Sequence, residues 1–126
     1  MEQKFYICEK CGNIIAMVRS SGAKVTCCGQ EMTLIVPGSM DASVEKHVPV
    51  IEITGDKVHV SVGSAVHPMI PAHYIEWISL QTDKGNQRKV LAAGQAPAAD
   101  FVLLPGEKVE AAYAYCNLHG LWKKEV

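Results

Sequence analysis

What this sequence lacks narrows it before any motif is read. It has no excess of either charge: 12 Lys and Arg face 13 Asp and Glu, a formal net charge of −1. That balance leaves no footprint for nucleic acid or for an acidic membrane surface. No apolar run approaches membrane-spanning length, and the opening MEQKFYICEKCG has no apolar signal-peptide core. The expectation is a soluble, cytoplasmic protein without a membrane partner. Neither an internal repeat nor a long amphipathic helix is evident. What is present excludes disorder: 48% of the 126 residues are hydrophobic and 20% charged, enough for one ordinary domain or two small ones.

Cysteine is the first informative residue. There are five, Cys8, Cys11, Cys27, Cys28 and Cys116. An odd number without a secretory signal argues against a disulfide framework. Four of them fall into two tight pairs, Cys8-x-x-Cys11 and, after fifteen intervening residues, Cys27-Cys28, with Gly12 and Gly29 placed where the backbone must bend. Four thiolates in a tetrahedron suit zinc or iron. Zinc ribbons generally keep a gap in both pairs, so adjacent cysteines favour a strained tetrahedron. Such a site has every position filled, so it stores or passes an electron and binds no substrate.

Two segments follow different logic. Residues 1–37 carry short β-rich runs broken by cysteine and glycine, which predict small hairpins. So short a stretch needs a bound metal to supply folding free energy. Pro37-Gly38-Ser39 punctuates the boundary. Residues 38–126 read as consecutive strands. Val48–Thr54 and Lys57–Val62 meet across Gly55-Asp56, and Tyr74–Gln81 turns through Asp83-Lys84-Gly85-Asn86 towards Arg88–Ala92. Phe101–Leu104 and Lys108–Tyr115 are expected to pair through Pro105-Gly106-Glu107. Turn signals at this spacing predict an all-β chain: a small metal-bound hairpin domain followed by an antiparallel sandwich of immunoglobulin type.

The five histidines separate by strand parity and position. His59 alternates with the valines of Lys57–Val62 and is read as a solvated face residue. His47 opens a strand beside Pro49. His67 and His73 bracket a loop that Pro68 and Pro71 stiffen, lowering the entropy of presenting imidazoles to an ion. Cys116-Asn117-Leu118-His119 is a possible ligand pair at the end of the last expected strand. Together these residues mark a candidate second metal site.

These residues match a known pattern. Cys8-x-x-Cys11 with Cys27-Cys28 resembles desulforedoxin, whose domain is rubredoxin-like. Glu45-Lys46-His47-Val48-Pro49, His67-Pro68-Met69, His73-Tyr74-Ile75 and Cys116-Asn117-Leu118-His119-Gly120 resemble the neelaredoxin-type catalytic domain. The chain as a whole resembles the desulfoferrodoxins, the two-iron superoxide reductases. That resemblance implies one iron held by Cys8, Cys11, Cys27 and Cys28. It implies a second, with His47, His67, His73 and His119 in a plane, Cys116 axial and a sixth position open in the ferrous form. It further implies reduction of superoxide to hydrogen peroxide without release of dioxygen, a rubredoxin-like electron donor, a cytoplasmic setting and a homodimer.

The residue chemistry agrees. Four neutral imidazoles and one thiolate around Fe(II) sum to +1 and attract an anion, whereas four thiolates around iron sum to −1 or −2 and repel one. Lys46 adds a unit charge, worth roughly 3 kcal/mol at about 6 Å with an effective dielectric near 20. It is also placed to order a proton-delivering water, and by resemblance Glu45 ligates the oxidised iron. Without the family pattern, Glu45-Lys46 reads as a solvated pair. Two other classes fit the same residues less well: an electron carrier with no substrate site, and a zinc module fused to a β-sandwich. A dismutase is the variant within the enzyme class, separated by release of dioxygen.

Overall fold

A computed structural model describes residues 2–126. The chain divides into two compact units, Met1–Val36 and Pro37–Val126. In the first, β1 (Lys4–Ile7) lies between β2 (Ile14–Met17) and β5 (Thr33–Leu34), while β3 (Thr26–Cys27) and β4 (Gln30–Glu31) form a separate hairpin. Among its hydrophobic residues Phe5, Cys8 and Met32 are buried. That is very little core, as expected of so short a unit.

The second unit holds seven strands in two antiparallel sheets. One has the order β10-β7-β6, from Ala98–Val102, Lys57–Val62 and Pro49–Thr54. The other has the order β12-β11-β8-β9, from Gly120–Glu125, Val109–Cys116, Ile75–Thr82 and Gly85–Val90. Alternate residues of each sheet face inward: Val58, Val60, Val62, Ala99 and Phe101 from the first pack with Ile78, Leu80, Ala112, Ala114 and Cys116 from the second. The fold is therefore an all-β sandwich joined to a small hairpin unit. No helix is long and apolar enough to cross a membrane among the described residues.

Three expectations are corrected. Phe101–Leu104 does not pair with Lys108–Tyr115: β10 pairs with β7 in one sheet and β11 with β8 and β12 in the other. Pro105-Gly106 thus carries the chain between sheets. β11 is not the last strand, because β12 follows at Gly120 and makes Asn117-Leu118-His119 a hairpin turn. One turn of helix, α1 (Val44–His47), precedes β6 and is closed by the Val48 N–H donating to the Val44 carbonyl at 3.0 Å.

One irregularity positions the chemistry. Along β8 and β11, Tyr115 faces Trp77 but Cys116 faces Ile75, so Glu76 is an extra residue in β8. This bulge restores Ile75 to the inward face beside Cys116, after Ile78 and Ala114.

Candidate metal centres

The four-cysteine cluster is built from two turns. The Cys8 N–H donates to the Asn13 carbonyl and the Gly12 N–H to the Cys8 carbonyl, both at 2.8 Å, closing a tight knuckle around Cys11. Cys27 pairs with Gln30, which leaves Cys28-Gly29 as a two-residue loop with φ of +54° and +75°. Positive φ at both positions is what a type I′ hairpin turn requires. The turn is what lets adjacent cysteines serve one ion.

All four sulfurs lie within 4.8 Å of one another. Cys11 to Cys27 is 3.7 Å and Cys27 to Cys28 is 3.9 Å. Metal–sulfur bonds of about 2.3 Å in a tetrahedron put sulfurs about 3.8 Å apart. Crowding spreads their acidities: the Cys8 thiol is lowered to about 6, chiefly by the Cys11 backbone, while neighbouring sulfurs, Cys11 first, push Cys28 to about 12. Full ionisation therefore needs a cation, and the donor set fits one.

The second cluster draws on four places in the sandwich unit: α1 for His47, the loop after β7 for His67, the end of that loop for His73, and the β11–β12 turn for Cys116 and His119. Adjacent ring centroids are 4.7 Å apart for His47–His67, 4.7 Å for His67–His73, 5.0 Å for His73–His119 and 4.9 Å for His119–His47. The His47–His73 diagonal is longer, at 6.3 Å. A tetrahedral set would make all pairs equidistant, so the rings stand near the corners of a square. Cys116, fully buried, adds its sulfur. Ligand atoms of His47, His67, His73 and Cys116 lie within 4.8 Å of one another. His119 Nδ1 is 3.1 Å from His47 Nε2 and 3.9 Å from the Cys116 sulfur.

The hydrogen bonds fix what these nitrogens can do. His47 Nδ1 is 2.7 Å from the Ser43 carbonyl and His67 Nδ1 is 2.7 Å from the Pro68 carbonyl. A carbonyl only accepts, so each Nδ1 carries the proton and each Nε2 presents a lone pair. Those two lone-pair atoms face each other at 3.1 Å. His73 Nε2 is buried with no hydrogen-bond partner. Acceptors converging on one point are explained by a cation between them. Burial holds His47, His67 and His73 below the usual histidine range, His67 to about 4, so their rings are neutral near pH 7. Burial pushes the Cys116 thiol up, against the backbone N–H groups of Leu118 and His119.

Glu45 and Lys46 are exposed on α1. The Glu45 carboxylate, held down by its own backbone N–H and by the Ser43 hydroxyl at 2.8 Å, is ionised at neutral pH. The Lys46 charge contributes to lowering both His47 and His73, so it reaches the cluster electrostatically. Gly63 seats this turn: a Cβ there would meet the Glu45 carbonyl at 2.5 Å, and the Ala65 N–H donates to that same carbonyl at 2.8 Å. His59 is brought to neither cluster; its Nδ1–H donates to Asp100 at 2.7 Å across β7 and β10.

Sequence reasoning missed the residues behind the ligands. Asn117 staples the His73 loop to the β11–β12 turn, accepting from the Tyr74 N–H at 2.9 Å and donating to the Ala72 carbonyl at 3.0 Å. Trp122 stacks on His47. Their signal in the sequence was only their nearness to Cys116 and His119.

A small four-cysteine module and a β-sandwich with a square of imidazoles beside a buried cysteine define a metalloprotein with two separate sites. The desulfoferrodoxin pattern matches residues 39–125, and that of the desulfoferrodoxin N-terminal domain matches residues 1–35. The chain belongs to the desulfoferrodoxin family. It is 44% identical over 124 residues to the desulfoferrodoxin of Nitratidesulfovibrio vulgaris, covering 98% of this chain and 97% of that one. It is 48% identical to a desulfoferrodoxin homolog of Archaeoglobus fulgidus, over 94% and 93% of the two chains. The crystal structure of the superoxide reductase from Treponema pallidum superposes with a TM-score of 0.84 at 39% identity, over 99% of this chain and all of that one.

Proposed function

We propose that this protein is a superoxide reductase working at the four-histidine, one-cysteine cluster, with mononuclear iron there and in the four-cysteine cluster. The observation that carries the reading is the 3.1 Å approach of two Nε2 lone pairs within a square of imidazoles beside a buried thiol. Iron held in that donor set would supply the one electron that, with two protons, converts superoxide to hydrogen peroxide. His47, His67, His73, His119 and Cys116 are the five donors that would hold it.

The protein's own residues do the rest. Burial keeps the His47, His67 and His73 rings neutral, and with one thiolate against them a ferrous site would be net positive, which suits a small anion. Lys46 extends that field to the surface, and steering falls to such a local charge because the chain as a whole is close to neutral. Its ammonium would also order a water that delivers a proton. Glu45, already ionised, is the carboxylate that would complete the donor set of the oxidised ion. The four-cysteine module (residues 1–37) passes electrons and the sandwich (38–126) performs the reaction. A rubredoxin-type carrier is the donor, and the protein works in the cytoplasm as a homodimer.

The test is a visible spectrum of anaerobically purified protein before and after stoichiometric oxidation, followed by a superoxide pulse. Two separate chromophores, with one peroxide formed per superoxide and no dioxygen, are expected. Dioxygen release at half the superoxide consumed would make it a dismutase. A colourless protein fully loaded with zinc would overturn the redox assignment.

A further inference from the structure

His119 stands apart from its neighbours in the square. His47 and His67 turn Nε2 towards each other, whereas His119 presents Nδ1. Nδ1 is the ring nitrogen nearer the backbone, so where that donor sits follows closely from where the His119 main chain sits. That main chain lies in a tight turn, with Gly120 at φ +77° immediately after it. Something must hold it.

Trp122 does so. Its Nε1–H donates to the His119 carbonyl at 3.0 Å. The same indole lies against the His47 ring, centroids 5.0 Å apart and planes 28° from parallel. Only 5% of Trp122 is exposed. His47 is pinned at Nδ1 by the Ser43 carbonyl, but one hydrogen bond leaves a ring free to swing about the pinned atom. A stacked indole removes that swing. One side chain thus fixes the backbone of one donor and the ring plane of the next, and their ring nitrogens are the pair 3.1 Å apart.

We propose that Trp122 is a positioning residue of the histidine–thiolate centre, setting the geometry of His47 and His119 together and with it the retention and ligand field of the ion. The proposal rests on the metal reading of that cluster. A residue that merely filled space would serve equally as Phe or Leu. An indole whose N–H is spent on a ligand's carbonyl does not exchange so freely, since partners of this kind typically control metal affinity by roughly 10- to 100-fold.

The experiment uses the full chain loaded with iron, as wild type, Trp122→Phe and Trp122→Leu. It measures release of histidine-site iron to a chelator and the energy of the absorption band that appears when that site is oxidised. The four-thiolate spectrum serves as an internal reference. Trp122→Phe keeps a ring on His47 and loses the hydrogen bond; release roughly tenfold faster with a shifted band is expected. Trp122→Leu loses both, and release approaching roughly 100-fold faster is expected. Wild-type release and unshifted bands in both variants, with only a lower melting temperature, would overturn the proposal. Should Trp122→Leu fail to fold, unchanged release and band in Trp122→Phe overturn it alone. Wild-type protein that binds iron at the thiolates and none at the histidines would overturn the site reading itself, and the proposal with it.

Discussion

The four-cysteine cluster draws its donors from Cys8 to Cys28, a span of 21 residues, whereas the other gathers five donors from His47 to His119, a span of 73. The first is closed by two turns in a unit whose buried hydrophobic residues are Phe5, Cys8 and Met32. The second is hung on the ends of strands that already share a core reaching from Val58 to Cys116. In the small unit the ion stands in for a core, and fold and site form together. In the sandwich the core supplies the frame, and the frame holds lone pairs in opposition where an ion would join them. A local site is simple to encode and dependent on its metal. A distributed site costs more chain and gains a buried, shaped environment.

Removing metal should expose that difference most strongly. Chelation of both ions is expected to abolish amide hydrogen-exchange protection in β1 to β5 while β6 to β12 keep theirs. Equal loss in both units, read by exchange mass spectrometry, would erase the contrast. Next in size is Cys116→Ser. It should cut superoxide reduction by at least roughly 100-fold, since even residues that only support a ligand cost up to that much. The four-thiolate spectrum should be unaffected, and kinetics beside a visible spectrum would check both.

A smaller effect is expected for Lys46→Ala, which leaves both irons in place. Because Lys46 is exposed, most of its field is screened, and the second-order rate should fall roughly tenfold with a flatter dependence on salt. A rate that is unchanged across ionic strength removes Lys46 from the mechanism. The least effect belongs to His59→Gln. It loses an exposed pair with Asp100 worth at most about 1 kcal/mol, with no change in metal content or rate. Thermal melting and metal analysis would show a larger role.

Much of this was legible in the sequence because the donors are chemically distinctive and the turns beside them are local. Cys8-x-x-Cys11 with Cys27-Cys28, the Gly55-Asp56 hairpin and the solvated parity of His59 each depend on neighbours a few residues away. What was not legible depends on distant partners. The turn at Pro105-Gly106 reads as a hairpin until β7 and β8 claim its two flanks. β12 escaped because Leu121 and Trp122, adjacent in sequence, are both buried, which hides the alternation of a strand. α1 is too short to show a helical period. The facing Nε2 atoms and the anchors at Ser43, Asn117 and Trp122 exist only once the chain is closed.

The surplus residue in β8 has an outcome that reaches past its own strand. A sheet is a counting device with two answers, and Glu76 is the one increment that changes the answer between Trp77 and Ile75. Pressed into the pairing opposite Cys116, it would hand every position before it to the opposite side: Ile75 would leave the place beside Cys116, and the run back through Tyr74 to His73 would leave the square. The coordination geometry is thus guarded by one residue that stays outside the ladder, and what matters at this point is the count of paired residues more than their types.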